Sequence, residues 1–184
     1  TTMITDIRLA GQQLAAPRFD TPKKLVSWMG AIQAQDYAMA RWAVGIRLKS
    51  ATARSVGEAF SRGEILRTHV MRPTWHLVAA EDIRWMLKLS ARRIRSANES
   101  LAKGRQLELT EQLHYRCDRL LEKMLEGNRN LTKQQIGEEL NRQGIAADTP
   151  RLTRLLMRAE TEAVVCSGPF SGGKQTYALL EERV

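Results

Sequence analysis

The stretch Thr149-Pro150-Arg151-Leu152-Thr153-Arg154-Leu155-Leu156-Met157-Arg158-Ala159-Glu160 decides how this chain is expected to fold. Thr149-Pro150 is a helix start: a hydroxyl caps the first turn, and proline's fixed φ suits it. At about 100° per residue, Leu152, Leu155, Leu156 and Ala159 fall within an arc of roughly 100°. Arg151, Arg154 and Arg158 share a neighbouring arc of about 60°. The apolar arc is expected to pack against other helices and to leave the arginines beside an exposed face. In helix-turn-helix folds such a helix enters the major groove, where guanidinium groups bond guanine edges or phosphate oxygens.

The flanking sequence supplies the rest of that arrangement. Thr110-Glu111 starts a helix that Gly127-Asn128 stops, and Asn130-Leu131 can form one rung of a strand. Thr132-x-x-Gln135 is a capping box for a helix to Arg142, which Gly144 ends. Downstream, 163–166 and 175–179 are strand-like, and Ser167 to Lys174 forms a Gly-rich tip with Lys174 at its base. Helix, short strand, helix, helix, hairpin is the order of a winged helix, assigned to residues 110–184. Gly172-Gly173-Lys174 lacks the spacing of a phosphate-binding loop and reads as the turn of a wing.

The first part of the chain is a more divergent version of the same order. Residues 4–14 suit a short helix. Thr21-Pro22 opens a second, carried to about Gln33 by Leu25, Val26, Trp28, Met29 and Ile32. A third periodic stretch covers 39–48, and Thr52 caps a fourth through Phe60. After Ser61-Arg62-Gly63 the period changes to two: 66–70 and 74–78 form a hairpin around Met71-Arg72-Pro73. Residues 1–80 are therefore assigned to an N-terminal winged-helix-like module, and 81–109 to a basic helical connector. The fold class is mainly α with small β-hairpins, α+β, built as tandem winged-helix modules.

Charge is the informative bulk property. The 184 residues carry a formal net charge of +9, which attracts phosphate backbones and anionic membrane surfaces alike. Along the connector Arg84, Lys88, Arg92, Arg93, Arg95, Lys103 and Arg105 face Glu99 alone. That run reads either as a solvated face between two domains or as a phosphate-tracking strip. In the second reading Arg92 and Arg93, with Arg72 in the hairpin loop, contact double-stranded DNA.

No apolar run approaches a membrane span, and Thr1 to Asp6 does not resemble a secretion signal, so a cytoplasmic location is expected. Cys117 and Cys166 have no metal-ligand spacing and read as ordinary thiols in a reducing compartment. His69 and His76 can be imagined meeting across the hairpin, but no further ligand stands beside them. Neither a metal nor a small-molecule cofactor is expected. Nothing indicates an oligomeric state.

Three stretches carry a resemblance to a known family. They are Gly30-Ala31-Ile32-Gln33-Ala34-Gln35-Asp36-Tyr37, Leu66-Arg67-Thr68-His69-Val70-Met71-Arg72-Pro73-Thr74-Trp75-His76-Leu77, and the closing Ala178-Leu179-Leu180-Glu181-Glu182-Arg183-Val184. With them the chain resembles the bacterial winged-helix DNA-binding proteins that include the AlkZ-like DNA glycosylases. Such enzymes excise alkylated bases and unhook interstrand crosslinks. The resemblance implies a longer protein, about twice this length, in which three winged helices form a DNA channel and these residues supply the first two.

The family's Gln-x-Gln motif matches Gln33-Ala34-Gln35. By that match Gln33 and Gln35 become candidate catalytic residues. A carboxamide does not titrate usefully, but it can orient a water toward C1′ and offer its carbonyl dipole to developing positive charge. Both amides reach one nucleotide only if the helix has ended near Gln33, because residues two apart diverge on a helix and align on an extended segment. Asp36 follows directly and could add a carboxylate. Three functions stay open: DNA binding through phosphates and a basic helix, base excision through Gln33 and Gln35, and a regulatory or protein-interaction role.

Overall fold

The computed structural model describes residues 2–50 and 52–184, with Thr1 and Ala51 outside the description. Six helices open on a side-chain oxygen that accepts from a backbone N–H three residues on: Thr21, Asp36, Thr52, Thr110, Thr132 and Asp148. These caps occupy donors that a helix end leaves free, so each fixes where its helix begins. The elements in chain order are α1 (Thr2–Gly11), α2 (Pro22–Met29), β1 (Ala31–Gln33), α3 (Tyr37–Gly45), α4 (Ala53–Ser61), β2 (Ile65–His69), β3 (Trp75–Ala79) and α5 (Ile83–Lys103). There follow α6 (Glu111–Leu125), β4 (Leu131–Thr132), α7 (Lys133–Arg142), α8 (Thr149–Thr161), β5 (Val165–Ser167), β6 (Thr176–Leu179) and the short α9 (Leu180–Arg183). The fold is α+β, with two small antiparallel sheets of three strands each.

The same order occurs twice. From α2 to β3 the chain runs helix, strand, helix, helix, hairpin, and from α6 to β6 it does so again. The sheets share a topology as well: β1-β3-β2 in one half and β4-β6-β5 in the other. In each, the short first strand pairs with the last strand of its hairpin.

Several expected boundaries move. The second helix stops at Met29, not near residue 33, because Gly30 takes a φ of +74° and turns the chain out of the helix. Ala31, Ile32 and Gln33 then pair with Val78, Leu77 and His76, a strand that the helical spacing of Ile32 concealed. Asp148 rather than Thr149 caps α8. The β2–β3 pairing ends at His69 and Trp75, so the hairpin loop is longer than the tripeptide Met71-Arg72-Pro73. His69 and His76 sit on opposite faces of this hairpin, since His69 pairs with Trp75 and His76 with Thr68.

Each half has its own core. Leu25, Val44, Val56, Phe60 and Leu77 anchor the first; Leu121, Leu125, Ile136, Leu140, Leu155 and Leu156 anchor the second. The predicted apolar arc of α8 is buried in the second core. A third cluster joins the halves: Leu66, Val70, Val78, Ile83, Met86 and Leu87 pack with Cys166 and Leu180. Asn98 on α5 donates to the Arg154 carbonyl on α8 at 2.9 Å, so α5 is packed against α8 and is more than a solvated link.

Candidate functional site

The early end of α2 sets the geometry of Gln33-Ala34-Gln35. Ala34 is fully buried and its N–H donates to the Trp75 carbonyl at 2.7 Å. Gln33 and Gln35 flank it on an extended segment and are both exposed. Their amides are held by the β2–β3 hairpin. The Gln33 carbonyl oxygen accepts from Arg72 Nη2 at 3.5 Å, and that of Gln35 accepts from the Trp75 backbone N–H at 3.3 Å. Asp36 is occupied as the cap of α3, its carboxylate accepting from the Met39 N–H at 3.0 Å.

Arg67 braces this segment from behind. Its guanidinium donates to the carbonyls of Ala34 at 2.9 Å and Gln35 at 3.0 Å, bonds the Gln175 amide, and lies 4.6 Å from the Trp75 ring centre. Burial pulls the Arg67 charge below its ordinary pKa, and the Glu160 carboxylate is the strongest influence opposing that.

Gln35 opens onto a cavity of about 360 Å³ between the halves. The first half contributes Gln35, His69, Pro73 and Trp75. The second contributes Lys133 from α7, Thr153, Arg154 and Met157 from α8, and Gln175 and Tyr177. Arg154 points here with a buried Nη1 that has no partner among the described residues. Burial lowers its pKa, and the charge of Arg105 lowers it further. Lys133 donates to Thr153 Oγ1 at 2.5 Å and is likewise depressed, by burial and then by Arg154. Two partly dehydrated cations therefore face one opening, which an anion entering it would stabilise. His69 is buried in the floor, its Nδ1 2.5 Å from Glu160 Oε2 and its ring 4.0 Å from that of Trp75.

The arginines of α8 are not equivalent, and the exposed arginine face expected from the helical arc is not what forms. Arg158 is 11% exposed, because Glu111 takes its Nη1 and Nη2 at 3.1 and 2.9 Å and Glu162 takes its Nε at 2.7 Å. The bond from Arg158 holds Glu111 below the usual carboxylate range. Arg151 donates to the Glu108 carbonyl at 3.1 Å and lies 3.6 Å from Asp148. Helix α5 covers this side, with Arg95 reaching Glu162 at 3.0 Å. Only Arg154 of the three lines the cavity. Lys174 is exposed at the tip and borders a neighbouring groove shared with Lys133. The loop that carries it is anchored by Phe170, stacked on Tyr37 at 4.4 Å. Arg92 and Arg93 are exposed on α5, and Arg93 borders a hollow next to Met71, beside Arg72.

A sequence profile of the family described as DNA glycosylase AlkZ-like matches residues 26–184. The chain belongs to the AlkZ-like DNA glycosylase family. Among solved structures, Streptomyces sahachiroi DNA glycosylase AlkZ is similar at a TM-score of 0.75 and 22% identity, over 94% of this chain and 47% of that protein. At that identity the likeness speaks for a shared fold, and the chain spans about half the length of that protein. Comparison with curated protein sequences gave no match.

Lys133, Gln175, Tyr177, Arg67 and Glu160 line or back this cavity without having been singled out by the sequence, which offers His69 only as a metal-ligand candidate. Arg67 and His69 had a usable signal: residues at i and i+2 in a strand share one face. Lys133 and Gln175 had none, since only the approach of the two halves brings them to Gln35.

Proposed function

We propose that this chain binds duplex DNA and carries the base-excising pocket of a DNA glycosylase for alkylated or crosslinked bases. The observation that carries the reading is the shared cavity: Gln35 opens onto the same space as Arg154 and Lys133. An extruded nucleotide would bring its base to this space and its phosphate to the two cations. Gln35 at the opening and Gln33 at the end of β1 would hold a water at C1′ and offer carbonyl dipoles to the oxocarbenium-like transition state. Water then supplies the hydroxyl to C1′ and releases its other proton to solvent, and the electron pair of the broken bond stays with the departing base. Membership of the AlkZ-like family supports the same reaction.

In this reading each of the two halves acts as a winged helix, 1–80 and 110–184, with 81–109 bridging them. Arg72, Arg92, Arg93 and Lys174 are the exposed cations that would follow the backbone outside the pocket. Arg151 and Arg158 act indirectly, by fixing α8.

The test is release of free base from DNA carrying 7-methylguanine. Gln33→Ala with Gln35→Ala should slow release by about 10²–10³-fold while DNA affinity is kept. Equal release by wild type and double variant would remove the two amides from the reaction. DNA binding with no release by wild type would leave only the binding function.

A further inference from the structure

Glu160 is a carboxylate in the last turn of α8, fully buried, and its Oε1 has no hydrogen-bond partner among the described residues. A buried acid left half unsatisfied is costly and is usually held for a purpose. Its one bonded partner is His69 Nδ1, and His69 in turn lines the cavity onto which Gln35 opens. None of the residues lining that cavity is acidic. Glu160, bonded to His69, places a carboxylate behind its floor.

The contact between the pair sets which ring nitrogen faces the carboxylate. His69 Nδ1 faces the carboxylate and carries the proton that it donates. Among the described residues nothing else bonds the ring, so Nε2 remains for the cavity as an acceptor. Polarisation through the Nδ1–H bond strengthens that acceptor, as carboxylates do for imidazoles elsewhere.

Resting on the excision reading, we propose that His69, backed by Glu160, determines specificity: it accepts an N–H bond from a positively charged purine. Alkylation at a ring nitrogen makes the purine cationic and its N–H groups stronger donors. A carboxylate-backed imidazole holds such a base better than its neutral parent. Breaking the bond to C1′ neutralises the base and weakens the hold, which favours its departure. Arg154 and Lys133 on the opposite wall serve the phosphate. His69 contacts the base, and Glu160 is a positioning residue acting through it.

Imidazole ¹⁵N spectra of the protein read this directly, because His76 and His114 are the only other histidines and serve as internal references. His69 is expected as the Nδ1–H tautomer. Titration with 7-methylguanosine should move its Nε2 resonance at concentrations about tenfold below those needed with guanosine, the gain typical of a charge-assisted bond. Glu160→Gln preserves size and removes the charge, and should abolish that preference. A protonated Nε2, an Nε2 unmoved by 7-methylguanosine, or an equal response to both nucleosides would overturn the proposal. Those signals come from the wild-type protein, so they decide even if Glu160→Gln does not fold. Release of 7-methylguanine from DNA with an unresponsive His69 would sink this inference and leave excision standing. A responsive His69 without release would do the reverse.

Discussion

Arg154 and Arg158 lie one turn apart on α8 and are set to do different work. The Arg154 guanidinium is only partly solvated and faces the cavity with a nitrogen that has no partner among the described residues, whereas that of Arg158 is closed into bonds with Glu111 and Glu162. Replacing Arg154 or Lys133 by Ala should weaken DNA binding and reduce the slope of log affinity against log salt by about one each. Arg158→Ala should leave that slope alone and cost about 1–3 kcal/mol of stability, because it removes the charged hydrogen bonds that join α8 to Glu111 and Glu162. Anisotropy titrations at several salt concentrations, with a thermal melt of each variant, separate the cases. A slope lowered by Arg158→Ala as much as by Arg154→Ala would refute the division. The spacing of these arginines was legible in the sequence. Their partners were not: Glu111 is 47 residues away, and α5 covers the face by long-range packing that periodicity does not encode.

Among the helices, what was legible was whatever chemistry acts within a few residues. Thr132 and Gln135 form the capping box that their spacing implies, and Thr110 caps α6. The short β1 was hidden because three residues carry too little period to outweigh a preceding helix, and its partner β3 lies over forty residues on. Helix α6 carries one further consequence of packing. Burial raises the Asp118 carboxyl to about 6, Glu162 adds to the rise, and Arg158 opposes it. A carboxyl raised by folding stabilises fully below its ordinary value, and that contribution is lost as pH rises through about 6. The difference from 3.8 corresponds to about 3 kcal/mol at most, which water at the part-exposed side chain reduces to about 1–2 kcal/mol. Asp118→Asn should therefore raise stability by that amount at pH 8 and do little at pH 4, read from urea unfolding at both. A larger gain at the acid pH would reverse the sign of this assignment.

At the scale of the whole molecule, the sequence divides more cleanly than the structure does. Two repeats of one element order suggest two bodies on a connector, yet Leu66, Val70 and Val78 of the first half share a cluster with Cys166 and Leu180 of the second. Arg183 ties the closing helix back to the carbonyls of Phe60 and Ser61 at 2.8 and 3.1 Å, and Phe170 stacks into the first core against Tyr37. Separating the halves would expose these apolar surfaces and break those hydrogen bonds, so the halves should unfold together. The chain supplies its own reporters. Three of the four tryptophans, Trp28, Trp42 and Trp75, lie in the first half and Trp85 on α5 between the halves, while both cysteines, Cys117 and Cys166, are buried in the second. Tryptophan fluorescence and thiol labelling should therefore follow one urea transition with a common midpoint. Arg183→Ala should move both midpoints down by the same amount, since the bonds it removes to Phe60 and Ser61 join one half to the other. Thiol labelling that begins well below the fluorescence change would mean that the second half opens independently. The cavity that joins Gln35 to Arg154 would then form only while the two halves are docked.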